Sequence, residues 1–178
     1  GGLVQNQGFE SADQIGKEAA ARAVARLGAK KIGSVKLPLI IENRGVGRVL
    51  GGFLRPLYGG ALYQGRSCFE DMRNKPVAAK ILTLTDDPLL KKGLASRYYD
   101  SEGIATKKLP LLQAGVLRNF YLGTYYAEKL NKKVTTKSHS NLIFVQGEKD
   151  LNGLCKDAGK ALLITRFIGG NSNSTSGD

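Results

Sequence analysis

A glycine-rich amphipathic segment over residues 43–65 places the strongest constraint on how this chain folds. Its apolar residues fall on one helical face: Val46, Val49, Leu50, Phe53, Leu54, Leu57 and Ala61. Seven glycines lie between Gly45 and Gly65, and each costs a helix interior about 1 kcal/mol. Pro56 is expected to kink or break the helix. A good apolar stripe on such a poor helix former predicts a packing element, with the stripe buried against another part of the protein.

Short strands and helices are predicted along the rest of the chain. Ser11 and Gln14 form a capping box at the start of a helix over 11–27, which Gly28 ends. Strands are predicted over 36–42, 77–85, 109–113, 116–122, 141–146 and 161–168, the last of them buried, and helical turns over 124–130 and 151–158. Ala114 and Gly115 have the spacing of a two-residue hairpin turn. Together these elements predict an α+β fold with a mainly antiparallel sheet and a few packed helices.

The length and composition indicate one domain of a larger protein. A chain of 178 residues is typical of a single domain, so we expect residues 1–178 to form one. It begins without Met and ends in a polar stretch over 169–178, which predicts a fragment of a longer polypeptide. Its apolar runs fall short of a membrane span. Cys68 and Cys155 show no metal-ligand spacing, and two unclustered cysteines suit a reducing cytoplasm.

The chain is strongly basic, with 27 Lys and Arg against 15 Asp and Glu and a net charge of +12. Such an excess attracts nucleic acid or an acidic protein, so a basic interaction module is an alternative function. The lysines occur as scattered pairs rather than as a stripe with interleaved aromatic residues. This dispersal favours a solvated basic surface without specific nucleic-acid binding.

The sequence predicts neither a metal site nor catalytic residues in this chain. A hydrolytic zinc site usually takes three protein ligands, and His139 is the only histidine. Asp86 and Asp87 precede Pro88, which favours a strand-ending turn over a cation site. Cys68 and His139 remain a candidate nucleophile–base pair for an independent hydrolase.

Three segments, in this order, resemble the TldD/PmbA family, whose members are also called modulators of DNA gyrase. The first holds Gly93-Leu94-Ala95-Ser96, Asp100-Ser101-Glu102-Gly103 and Thr106, the second Gly115-Val116-Leu117, Ala127-Glu128-Lys129-Leu130 and Thr135-Thr136, and the third the tail from Gly169 to Asp178. The resemblance covers essentially the whole chain. It implies the C-terminal-domain fold of the family and the middle and C-terminal portion of a member.

The family has two kinds of subunit, which pair into a cytoplasmic metalloprotease that trims small or unfolded peptides. The TldD kind binds zinc through H-E-x-x-x-H on a helix and a later Cys, whereas the PmbA kind, also called TldE, lacks that motif. Alignment on Ser67-Cys68-Phe69 places the motif window at Leu50-Gly51-Gly52-Phe53-Leu54-Arg55. The resemblance therefore implies a PmbA-type subunit, with zinc only in a TldD-type partner, in a heterodimer with that partner or a homodimer.

Two polar segments supply the candidate peptide-binding residues: Ser96, Asp100, Glu102 and Gly103 in the first, and Asn171, Ser174, Thr175 and Asp178 in the second. Their carboxylates, hydroxyls and amides suit contacts with a peptide terminus or backbone. A structural turn over 100–103 and a flexible loop over 171–178 are the alternatives. Exposed edges of the hairpin over 105–122 are expected to hold a substrate strand by β-augmentation.

Overall fold

The structure, a computed structural model, describes residues 10–177. The chain divides into two compact units, Gly1–Leu37 and Pro38–Asp178, and the single-domain expectation stays a prediction. The first unit holds helix α1, Ala12–Val24, which begins after Ser11, where the Ser11 hydroxyl accepts a hydrogen bond of 3.2 Å from the Gln14 backbone N–H. The helix predicted over 11–27 is thus confirmed. Its apolar stripe is exposed, since none of its residues is buried.

The second unit contains two sheets and four α-helices within its described residues. Strands β1, Leu39–Ile41, and β6, Leu162–Ile164, form a parallel pair. The antiparallel sheet runs in the order β4-β3-β2-β5. Its strands are β2, Leu84–Asp86; β3, Leu109–Gln113; β4, Val116–Leu117; and β5, Leu142–Phe144. The helices are α2, Asn43–Leu54; α3, Gly59–Tyr63; α4, Thr124–Lys129; and α5, Leu151–Ala158. The predicted α+β class with a mainly antiparallel sheet is confirmed.

The predicted hairpin joins β3 to β4 through Ala114 and Gly115, which both have positive φ, 46° and 77°. A Cβ on Gly115 would lie 2.2 Å from the carbonyl oxygen of Ala78, so only glycine fits there. The segment before Ala78 also lies along the outer edge of the hairpin. Leu117 N–H donates to Lys75 C=O, and Val77 N–H donates to Gly115 C=O. The expectation that a substrate strand pairs along this edge is therefore wrong.

Most of the predicted strands are shorter in the structure because loops supply their hydrogen-bonding partners. The run over 77–85 forms a strand only at its end, and the run over 116–122 only at its start. Tyr121 N–H donates to Leu57 C=O, and Leu122 N–H to the Thr135 hydroxyl, rather than to a neighbouring strand. The run over 161–168 is not the buried strand predicted, since Leu163 is 43% exposed and Ile168 93%.

The helical segment over 43–65 breaks at Pro56, as predicted. A 3-10 turn, Arg55–Leu57, separates α2 from α3, since Pro56 lacks the N–H that a continuous helix needs. Leu54 and Leu57 enter the core, which comprises Leu54, Leu57, Leu62, Leu84, Leu109, Leu111, Leu112, Leu117, Phe120, Tyr121, Leu122 and Ala127. Val49 is 48% exposed, so the prediction that the whole stripe is buried is wrong at that residue.

Replacement of Leu57 by alanine should lower the free energy of unfolding by about 2–5 kcal/mol, because this side chain is fully buried. Val49→Ala, in the same segment, should cost less than about 1 kcal/mol. Urea denaturation followed by circular dichroism measures both values. Equal losses from the two substitutions would contradict the assignment of Leu57 to the core and Val49 to an exposed face.

Candidate functional site

A cavity of about 850 Å³ lies between α2 and residues 167–177. Helix α2 and the turn after it present Arg48, Gly51, Gly52 and Arg55 to the cavity, and these positions share one helical face because they are three, four and seven residues apart. The other walls include Phe69, Phe167, Asn171, Ser172, Asn173 and Ser174. The cavity therefore combines apolar surface with side-chain amides, hydroxyls and two guanidinium groups.

The polar tail is held against α2 by contacts that glycines make possible. The Arg48 guanidinium donates to the carbonyl oxygen of Gly170. A Cβ on Gly52 would lie 3.3 Å from the side chain of Ser172, so the tail crosses the helix at close range. The backbone N–H of Cys68 donates to Ser174 C=O at 2.8 Å. The close packing that the glycine-rich segment predicts is therefore packing against the tail at Gly52, whereas Gly59 packs against Tyr126 of α4, where an added Cβ would lie 2.6 Å from the tyrosine side chain.

The two arginines make the cavity electropositive. No Asp or Glu is among its lining residues within the described chain. Arg55 is exposed to the cavity and makes no ion pair or side-chain hydrogen bond with residues 10–177. Arg48 uses part of its guanidinium to hold the tail. An anionic group entering the cavity meets an uncompensated positive charge at Arg55.

The residues in the zinc-motif window do not fit a zinc ion. The window runs from Leu50 to Arg55, and Gly51 and Arg55 of that window line the cavity. An aliphatic side chain, a missing side chain and a guanidinium provide no imidazole or carboxylate ligand. Over residues 10–177, no group of three or more His, Cys, Asp or Glu side chains converges.

The predicted site residue Asp100 is engaged by backbone donors. Asp100 is 4% exposed, and its Oδ1 accepts from the N–H groups of Glu102 at 2.9 Å and Ile104 at 3.1 Å. Burial by itself raises the pKa of the Asp100 carboxyl, but these donors and the N–H of Lys137 hold it below its usual value. The carboxylate thus fixes the turn predicted over 100–103.

Glu102 and Ser96 also serve neighbouring loops. The Glu102 carboxylate accepts from the backbone N–H of Thr124 at 2.8 Å and from its hydroxyl at 3.0 Å. The N–H of Thr124, together with the hydroxyl and Lys137 3.5 Å away, holds the pKa of Glu102 below its usual value. The Ser96 hydroxyl donates to Leu90 C=O.

The structure separates the two predicted groups of peptide-binding residues. Asn171 and Ser174 line the cavity, and Thr175 follows in the same tail, with its N–H donating to Asn173 Oδ1 at 2.9 Å. The cavity walls described here do not include Ser96, Asp100, Glu102 or Gly103. Asp178 lies outside the described residues. A role in peptide binding stays a prediction for all of these positions.

Arg48 and Arg55 are cavity residues that the sequence analysis missed. Their signal was a spacing of seven residues on the helix, with Gly51 and Gly52 between them. That spacing places both side chains on one face, yet it does not reveal which part of the chain faces them.

Asp87 fixes the strand-ending turn that the sequence predicts, whereas Asp86 is the last residue of β2 and bonds to distant segments. Asp86 is 1% exposed and accepts from the Tyr121 hydroxyl at 2.9 Å and the Ser140 N–H at 2.9 Å. Burial, with the charge of Asp86, raises the pKa of Tyr121 and keeps its hydroxyl protonated as a donor. Asp87 accepts from Leu89 N–H at 3.0 Å.

Cys68 and His139 do not form a nucleophile–base pair. Cys68 lines the cavity, and burial raises the pKa of its thiol. His139 is not among the described cavity residues, and its Nδ1 shares a hydrogen bond with the hydroxyl of Tyr58. A nucleophilic cysteine needs a lowered pKa and a base within reach, and this arrangement supplies neither.

Comparison with known proteins decides the family. Residues 34–178 match the family model described as the PmbA/TldA metallopeptidase C-terminal domain. The chain belongs to the PmbA/TldD family. It is 30% identical over 169 residues to the metalloprotease PmbA homolog of Buchnera aphidicola subsp. Baizongia pistaciae, which covers 93% of this chain and 38% of that protein. It is 29% identical to the metalloprotease PmbA of Escherichia coli O157:H7, over 96% of this chain and 38% of that protein.

A PmbA/TldD-family fold is also seen in a solved structure. A Bacteroides thetaiotaomicron protein named as a modulator of DNA gyrase superposes with a TM-score of 0.87 at 37% identity. The superposition covers 90% of this chain and 37% of that one. The chain therefore spans less than two fifths of the length of each of these PmbA/TldD relatives. Over residues 10–177, no helix of this family member is long and apolar enough to cross a membrane.

The raised pKa of Cys68 predicts slow alkylation at neutral pH. Because only the thiolate reacts, the rate of modification of Cys68 by iodoacetamide should stay below that of free cysteine at pH 7 and rise in more alkaline buffer. Mass spectrometry of timed samples from a Cys155→Ser variant isolates the Cys68 rate. Rapid labelling at pH 7 would reveal an activated thiolate and revive the Cys–His alternative.

The depressed pKa of Asp100 predicts a pH-dependent contribution to stability. A carboxylate whose pKa is lowered by folding stabilises the protein above its unfolded pKa of about 3.9, and the contribution disappears as pH falls through the folded value. The difference in free energy of unfolding between wild type and Asp100→Asn should therefore shrink between pH 6 and pH 2.5.

Asp71→Asn is the matched control, since Asp71 is exposed and makes no hydrogen bond with a described residue. A gap that shrinks equally for Asp71→Asn and Asp100→Asn would show that the backbone donors around Asp100 are not the cause of the pH dependence. A pH-independent gap for Asp100→Asn would show that the charged form is not the one that the turn requires.

Proposed function

We propose that this chain is part of a PmbA/TldE-type subunit, without a zinc site of its own, that supports hydrolysis of small or unfolded peptides by a TldD-type metalloprotease subunit in the cytoplasm. The observation that carries this proposal is the motif window on α2, where Gly51 and Arg55 occupy cavity positions that a zinc peptidase would fill with imidazole and carboxylate groups. The PmbA relatives support the same assignment.

The cavity supports a peptide as the ligand. Its volume of about 850 Å³ lies within the range of small-molecule pockets, about 300–1,000 Å³, which suits a few residues of extended chain. Phe53 and Phe69 provide apolar surface for side chains, and the amides of Asn171 and Asn173 provide hydrogen bonds for a backbone. In the proposed complex this cavity forms part of the peptide path, with the metal chemistry in the partner.

Peptide hydrolysis should appear only when a TldD-type partner is mixed with the purified protein, and a metal chelator should abolish it. The reason is that water activation needs the partner's metal and glutamate. Release of fluorescence from a quenched unfolded peptide measures the rate. A partner variant with both motif histidines replaced by alanine is the control and should give no activity.

Hydrolysis by a metal-free preparation of this protein alone would overturn the proposal. So would full activity of the partner that does not change when this protein is added, because the subunit would then contribute nothing to the reaction.

A further inference from the structure

Arg55 is the one guanidinium in the described cavity without a structural task. Arg48 holds the tail through Gly170, whereas the side chain of Arg55 makes no hydrogen bond or ion pair within residues 10–177, and Arg55 is exposed and lines the cavity. Arginine presents five N–H donors in a planar fork that matches a carboxylate. With no acidic side chain among the described lining residues, these donors are available to a ligand.

The surface beside Arg55 leaves room for more than a small ion. A Cβ added to Gly47 or Gly51 would find nothing within 4 Å, so α2 is open to the cavity at these positions. Phe53 and Phe69, whose ring centroids lie 5.5 Å apart, form an apolar wall of the same cavity. An inorganic anion would interact only with the charge of Arg55. The end of a peptide would also place apolar side chains against Phe53 and Phe69.

We propose that this cavity binds the C-terminal carboxylate of a peptide through Arg55, with the last apolar side chains against Phe53 and Phe69. The inference rests on the proposed function, since it names the part of the peptide that this subunit holds. A bidentate arginine–carboxylate pair fixes both position and orientation. The subunit thereby selects free chain ends, which distinguish short peptides from the interior of an intact chain.

The test compares two short apolar peptides that carry fluorescein at the N-terminus and differ only in a free or amidated C-terminus. Fluorescence anisotropy of each, titrated with this protein alone in the presence of EDTA, gives the dissociation constants. The free acid should bind about tenfold more tightly, as expected for a charge-assisted hydrogen-bonded pair. Arg55→Gln should abolish this preference, and Arg55→Lys should retain part of it because lysine keeps the charge without the fork.

Arg66→Gln is the matched control for the loss of charge. Arg66 is exposed in the same unit and is not among the cavity residues. The preference for the free acid should survive this substitution. An equal loss from Arg66→Gln and Arg55→Gln would show that net charge, rather than the cavity, attracts the peptide, and would overturn the proposal.

Gly51→Leu tests the cavity without changing the charge. Its side chain would occupy the open space beside α2, so both peptides should bind at least about fivefold more weakly, as expected when a side chain fills space that a ligand needs. Thermal stability should be unchanged or higher, since leucine is the better helix former. Unweakened binding by this variant would place the peptide elsewhere.

Other results separate this inference from the function on which it rests. Equal binding of acid and amide, with partner-dependent hydrolysis intact, would overturn the carboxylate site and leave the proposed function standing. A preference for the free acid that depends on Arg55, without partner-dependent hydrolysis, would support the carboxylate site and overturn the proposed function. Displacement of the free-acid peptide by inorganic phosphate or a single-stranded oligonucleotide at equal or lower concentration would assign the cavity to phosphate and overturn the peptide proposal.

Discussion

The break after α2 fixes the geometry on which the cavity depends. The Tyr121 N–H donates to Leu57 C=O, and the Gly59 N–H donates to Tyr121 C=O, each at 2.9 Å. The ring of Tyr58 stacks on Tyr121 with centroids 5.1 Å apart. Pro56 ends the helix immediately before Leu57, whose side chain is buried in the core. Because one end of the segment is anchored in this way, the opposite face of α2 is directed toward the tail and the cavity.

Two buried carboxylates, Asp86 and Asp100, hold the conformation of loops in this unit through hydrogen bonds. Removing a charge from water is costly unless donors replace the lost hydration, and Asp86 and Asp100 each receive several such donors. Asp86 joins β2 to Tyr121 and Ser140, so the loop before β5 and the chain after β4 are held together. Asp100 orders its own turn. Neither of these two carboxylates is left free for a cation, so the roles of Asp86 and Asp100 are structural.

Local sequence signals predicted the elements that are stabilised locally. Helix α5 and strand β3 have their predicted bounds, and the hairpin between β3 and β4 follows from Ala114 and Gly115, because caps and glycine turns act over a few residues. Two predictions were wrong: that Val49 is buried, and that a strand runs over the whole of 77–85. Both depend on segments that are distant in the sequence. A strand ends where a loop takes its hydrogen bonds, and a stripe is buried only where something covers it.

The sequence by itself determined that the motif window on α2 carries no histidine or glutamate, that the segment breaks at Pro56, and that it must pack closely. The resemblance to the PmbA/TldD family also rests on the order of motifs in the sequence. Only the tertiary structure placed Arg48 and Arg55 around a cavity closed by the tail, since Arg48 meets Gly170 across a separation of 122 residues. Such contacts depend on how the core orients whole elements, which no local pattern encodes.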